Sequence, residues 1–138
     1  MSGVQKSVRL PENTVREIER LVRETGMDFS AVTKDLLSEA VKMRRCPGIL
    51  FVDGVKGRRA RIAGAGLEVW EVIGTFRSLG KNLKRLQKTY HWLTSEQIRS
   101  ALAYYSAYPE EIDKQIRKNE EASEEEIKER YPFLVSPS

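Results

Sequence analysis

Val4-Gln5-Lys6-Ser7-Val8-Arg9-Leu10-Pro11-Glu12-Asn13 is the stretch on which the fold reading turns. Val4, Val8 and Leu10 fall on one side of an extended chain, with Lys6 the polar exception, and Gln5, Ser7 and Arg9 fall on the other. A period of two is the mark of a half-buried strand. Pro11 has no N–H to donate and ends the ladder. A lone strand at this position would leave half its ladder unpaired, so the pattern predicts a second copy of the chain as its pairing partner. The resulting two-stranded ribbon turns Gln5, Ser7 and Arg9 outward, a polar surface of a width that fits a DNA major groove. The same residues also read as an ordinary edge or dimerisation strand without any DNA role.

Two amphipathic helices follow. Asn13 or Thr14 is placed to cap the first, whose apolar stripe is Val15, Ile18, Leu21 and Val22, and Gly26 supplies its left-handed stop. Asp28 caps the second, which carries Phe29, Val32, Leu36, Leu37, Ala40 and Val41. One strand and two helices in residues 1–45 hold too little core for a stable monomer, which again predicts an intertwined dimer.

Lys6 to Pro11, the Glu12-Asn13-Thr14 helix entry and the Gly26-Met27-Asp28-Phe29-Ser30 turn together resemble the ribbon-helix-helix family of repressors and antitoxins, the Arc, MetJ and CopG group. The resemblance implies that Gln5, Ser7 and Arg9 read bases. It also implies that the backbone N–H groups of Phe29 and Ser30, at the start of the second helix, anchor a DNA phosphate. Asp28 is a departure, standing where that family more often has a neutral hydroxyl.

Cys46-Pro47-Gly48 separates this unit from a second one at 46–119. Ile49–Val52 and Ala60–Ile62 flank turn chemistry at Asp53–Gly57 and predict a β-hairpin, whose turn and return strand carry Lys56, Arg58, Arg59 and Arg61. Such a basic cluster could hold a DNA backbone through Lys56, Arg58 and Arg59, or keep an exposed edge soluble. Ala63-Gly-Ala-Gly66 lacks the third glycine and the Gly-Lys-Ser/Thr ending of a phosphate loop and reads as a turn into a helix over 67–79. A short helix over 82–90 puts Leu83, Leu86 and Tyr90 inward and Lys81, Lys84, Arg85 and Lys88 outward. Thr94-Ser-Glu-Gln97 is a capping box opening a longer helix. Short helix, tight turn and longer helix is helix-turn-helix order, read here as a packing module with contact to DNA as the alternative.

Arg61-Ile-Ala-Gly-Ala-Gly-Leu-Glu-Val-Trp70 and Trp92-Leu-Thr-Ser-Glu-Gln-Ile-Arg-Ser-Ala-Leu-Ala-Tyr104 resemble a small winged-helix-like family, largely labelled a domain of unknown function. Its members often occur as the VapB-like antitoxin beside a PIN-like ribonuclease toxin. Gly57-Arg58-Arg59 replaces the usual glycine-proline pair of its hairpin, and Ala65 stands where threonine is common.

Formal charges sum to +2 over residues 1–45, +6 over 46–108 and −4 over 109–138. A basic body with an acidic end suits phosphate contact by one part and a basic partner for the other. In the tail, 120–138, six glutamates adjoin Ile127, Tyr131, Phe133, Leu134 and Val135, apolar residues that read as anchors for a partner protein, as packing on the chain's own body or as a free end. Ser123-Glu-Glu-Glu126 reads as a capping box starting a short separate helix. No apolar run approaches a membrane span and the start does not look like a signal peptide. The single Cys46 fits a reducing cytoplasm, and with His91 it makes no zinc site. Asp53, Glu68 and Glu71 give no recognised metal-ligand spacing, and no cofactor or catalytic residue is expected.

The expected fold is therefore mainly α with a short N-terminal β-strand: an intertwined ribbon-helix-helix dimer joined to a small helix-turn-helix-like domain with a β-hairpin. The expected protein is a cytoplasmic homodimer, of higher order on DNA, that binds double-stranded operator DNA. It would serve as antitoxin and autorepressor of a type II toxin–antitoxin module, neutralising a PIN-like ribonuclease toxin. The alternative is a plasmid or viral ribbon-helix-helix regulator with no toxin; a metal-dependent enzyme is the distant one.

Overall fold

A computed structural model describes residues 3–54 and 57–132. Among these the chain forms six helices and one central hairpin: α1 Glu12–Thr25, α2 Phe29–Arg45, β1 Ile49–Gly54, β2 Gly57–Ile62, α3 Val69–Ser78, α4 Leu83–Thr89, α5 Ser95–Ala107 and α6 Pro109–Arg130. The expected N-terminal strand and the intertwined ribbon-helix-helix fold built on it are not what the chain adopts. Residues 4–10 lie in no strand, and β1 and β2 pair only with each other. The physical reason is that alternation assigns side chains to faces without supplying a ladder or a surface to bury against. Val4 and Val8 remain 82% and 79% exposed, and a segment with neither a hydrogen-bonding neighbour nor a buried face has nothing to hold it extended. Pro11 stands at the N-cap of α1 rather than at a strand end, so the helix starts at Glu12, ahead of the expected caps. The Asn13 side chain instead accepts from the adjacent Thr14 N–H at 3.0 Å.

The chain divides into two units, Met1–Lys42 and Met43–Ser138. In the first, Gly26 closes α1 at φ 73° with its N–H on the Val22 carbonyl, a conformation that glycine adopts without steric cost. The Asp28 carboxylate accepts from Ala31 N–H at 2.7 Å and caps α2. Ile18 and Val32 are the buried side chains of this unit; Leu36, Leu37 and Val41 stay exposed on α2.

The second unit owns the larger core. β1 and β2 pair antiparallel from Ile49↔Ile62 to Gly54↔Gly57. Ile49, Ala60 and Ile62 from the hairpin meet Val69, Val72 and Ile73 of α3, Leu86 of α4, Ile98, Ala101 and Tyr104 of α5, and Ile112 of α6. The Thr94–Gln97 capping box forms: Gln97 N–H donates to Thr94 Oγ1 at 3.1 Å and Thr94 N–H to Gln97 Oε1 at 2.9 Å. The other end of that amide ties α5 to the hairpin's exit, Gln97 Nε2 donating to the Ala63 carbonyl at 3.2 Å. Ser100 Oγ donates to the Pro47 carbonyl at the hairpin's entry, also at 3.2 Å. Gly48 lets the two approach: its φ is +92°, and a Cβ there would stand 2.6 Å from Ser100 Oγ.

Pro109 lies in the first turn of α6, where its missing N–H breaks no bond. α6 then continues unbroken to Arg130, so Ser123 starts no separate helix.

Candidate nucleic-acid interface

Between Glu71 and Glu96 the chain carries no acidic residue, and α4 concentrates the basic ones. α3 ends through two successive left-handed residues, Gly80 at φ 68° and Lys81 at φ 59°. Lys81 N–H reaches back to the Phe76 carbonyl at 2.9 Å, which makes the turn tight. Asn82 caps α4 by accepting from Arg85 N–H at 3.1 Å. Leu86 is then the one α4 side chain that is buried; Lys84, Arg85 and Lys88, with Lys81 before them, are exposed. The period of the helix thus gives one residue to the core and its cations to solvent.

The turn that follows is fixed to α3. Tyr90 Oη and Thr75 Oγ1 share a hydrogen bond of 2.8 Å, and Leu93 N–H donates to the Tyr90 carbonyl at 2.9 Å. Trp92 is held edge-on to Tyr90 and His91, with ring centroids 5.4 and 5.2 Å away, yet 56% of it is exposed. Exposed cations attract phosphates, and an exposed indole offers a stacking face.

Arg77 is engaged elsewhere. Its guanidinium donates to Asp113 and to the Tyr105 hydroxyl, and Tyr105 donates to the same Asp113 oxygen at 2.8 Å. The Tyr105 hydroxyl, and then Arg77, hold the Asp113 carboxyl below the usual aspartate range. Burial, and then its bond to Glu111, push the Tyr104 hydroxyl far above the ordinary tyrosine value. Burial likewise raises the Cys46 thiol.

The residues singled out from sequence are divided between the two units. Gln5, Ser7 and Arg9 lie exposed on the irregular segment before α1. Phe29 and Ser30 occupy the first turn of α2, where the Asp28 carboxylate already accepts the neighbouring Ala31 N–H. Arg58 pairs across the hairpin with Asp53 at 3.1 Å and donates to the Phe51 carbonyl at 3.1 Å. Strand alternation sends Arg59 and Arg61 to the opposite face from Arg58, dividing the basic cluster. Ile127 and Tyr131 are 50% and 45% exposed at the end of α6. Lys56, Phe133, Leu134 and Val135 lie outside the described residues. The sequence places Lys81, Lys84, Arg85 and Lys88 outward, on a module read first as packing and only second as touching DNA. Their signal was the acid-free run around them. Among the described residues no group of three His, Cys, Asp or Glu side chains is placed to hold a metal ion. No helix among them is long and apolar enough to cross a membrane.

Residues 51–105 match the model of a family described as a protein of unknown function, DUF433. The crystal structure of a DUF433 member protein from Anabaena variabilis is 30% identical, covering 78% of this chain and 99% of that one, with a TM-score of 0.44. The chain belongs to the DUF433 family. No curated protein matches it.

The span matched to DUF433 takes in most of the hairpin, α3, α4 and nearly all of α5, and so contains the whole basic helix with Trp92. The helices α1 and α2 and the acidic helix α6 lie outside it.

Proposed function

We propose that this DUF433 protein is the antitoxin and autorepressor of a type II toxin–antitoxin pair. It acts in the cytoplasm as a homodimer, binding operator DNA through α4 and Trp92 and neutralising a ribonuclease toxin with the outer half of α6. The observation that carries this reading is the separation of charge. Lys81, Lys84, Arg85 and Lys88 form an exposed basic surface with no acid in sequence between Glu71 and Glu96. Glu120, Glu121, Glu124, Glu125, Glu126 and Glu129 are exposed on the last turns of α6. Phosphates favour the first and repel the second, whereas a basic partner groove favours the second. The sequence likeness to antitoxins found beside PIN-like ribonucleases supplies the toxin class. A second copy is the natural cover for Leu36, Leu37 and Val41, since two helices with two buried side chains make too small a core to stand alone.

The experiment pairs two variants. Lys84→Glu with Lys88→Glu should weaken binding to the chain's own upstream DNA by about a hundredfold or more at fixed moderate salt, each lost phosphate contact also flattening the salt dependence. The same variant should still bind and silence the adjacent toxin. Ending the chain at Asn119 should do the reverse, leaving DNA affinity within about twofold of the full chain's. Undiminished DNA binding by the double charge reversal would refute the role given to α4.

A further inference from the structure

Between α3 and α6 runs a groove of about 380 Å³, lined by Glu71, Gly74 and Ser78 on one side and by Ile116 and Glu120 on the other. Steps of three and four residues put 71, 74 and 78 in one row on α3, and 116 and 120 in one row on α6. Thr75, next to Gly74, shares its 2.8 Å hydrogen bond with Tyr90 Oη, which fixes the floor at the α4 end.

Gly74 is the residue of this groove that the fold does not explain. Glycine inside a helix is destabilising relative to alanine, because it loses more backbone freedom on folding. Gly74 has no positive φ that would call for it, and a Cβ there would have no neighbour within 4 Å beyond its own helix backbone. Its bare Cα leaves room for another chain to come close. The charge of the groove narrows what that chain carries. Glu71 and Glu120 are the charged residues that line it among those described, in a protein whose net charge is +4. Phosphates are repelled there and cations are drawn in. α6 then carries the groove past the body. Ile116, Glu120, Ser123 and Ile127 keep one row; residues 117–132 are all exposed, and half of Ile127 is. Two packed helices offer a groove into which the ridge of a third fits, and an apolar strip flanked by acids suits a basic amphipathic one.

We propose that this groove seats a basic amphipathic helix of the toxin, its apolar stripe over Gly74 and Ile127 and its cations beside Glu71 and Glu120. The proposal rests on the toxin reading given above and extends the seat from the outer half of α6 inward to α3. It uses none of the α4 cations.

Calorimetric titration of the full chain with the toxin encoded beside it tests the assignment, with DNA affinity, sedimentation and melting temperature measured on the same variants. Gly74→Leu puts a good helix former into open space, so the melting temperature should hold or rise and DNA affinity should stay within about twofold. Toxin affinity should nevertheless fall about tenfold or more, because the side chain occupies the seat. Glu120→Lys, a change at an exposed position, should also weaken toxin binding about tenfold and leave the melting temperature unchanged. Parent affinity should decline with rising salt, as it must if cations meet Glu71 and Glu120. Should Gly74→Leu prove unstable, Glu120→Lys and the salt series still decide the matter. Toxin binding untouched by both variants, or insensitive to salt, would overturn the groove while the loss of binding on ending the chain at Asn119 kept the α6 reading alive. No toxin binding by the parent chain would bring down both. Loss of the dimer in Gly74→Leu with toxin affinity intact would give the groove to a second copy and overturn the proposal as well.

Discussion

Lys81 is the one non-glycine residue among those described with a positive φ, and it sits at the start of the basic surface. A left-handed conformation costs a side-chain-bearing residue free energy that glycine does not pay, and such strain collects at functional sites. Lys81→Gly is therefore expected to leave stability unchanged or raise it by up to about 1 kcal/mol, while weakening DNA binding. Denaturant midpoints and gel shifts on the same preparation check both halves, and a clear loss of stability would show that the lysine side chain is structural. Asp113 makes a different prediction. Its folded-state pKa lies below the unfolded one because of Tyr105 and Arg77, so in acid the unfolded chain takes up the proton first. The stability it contributes is present above the ordinary aspartate range and is lost as pH falls through that range to the depressed folded value. Asp113→Asn should be less stable than the parent at pH 7, with the gap closing over the acid interval that begins at the ordinary aspartate value of about 3.9. A gap of constant size across that interval would contradict this linkage.

Elements were legible wherever the chain punctuates itself. Gly26, Asp28, Gly80, Asn82 and the Thr94–Gln97 pair each mark a boundary that the structure uses. The strand expected at 4–10 failed because period two speaks of faces, whereas a strand exists only beside a partner. The capping box at Ser123 failed for a related reason. A cap acts where the chain enters a helix, and Glu120, Glu121 and Ala122 are good helix formers that carry α6 straight through. Within the candidate interface the cations of α4 were visible in the sequence, but the division of the hairpin arginines was visible only once the register was fixed. At this scale Leu86 carries α4: it is fully buried and is the helix's one buried side chain. Leu86→Ala should cost about 2–5 kcal/mol and abolish DNA binding, because the cations lose their platform. Retained binding by a variant so destabilised would mean that the helix need not be docked.

For the molecule as a whole, the two units differ in how far each supplies its own core. Met43–Ser138 encloses one; Met1–Lys42 leaves Leu37 63% and Val41 55% exposed, four residues apart on α2. Sedimentation should find a dimer, and Leu37→Asp should yield a monomer, since an unpaired charge is costly to cover. A monomeric parent protein would leave that face without the proposed partner. The two hydrogen bonds by which α5 grips the hairpin, from Gln97 and Ser100, have a temporal meaning too. They close loops of 34 and 53 residues, whereas α3, α4 and α5 meet across short connections, and long closures come late because their entropy is lost before any contact rewards it. Helices would therefore assemble first and the hairpin dock last. Removing the Ser100 hydroxyl should then leave the refolding rate untouched in stopped-flow mixing and speed unfolding, so that this small polar latch governs not whether the second unit folds but how long it stays folded.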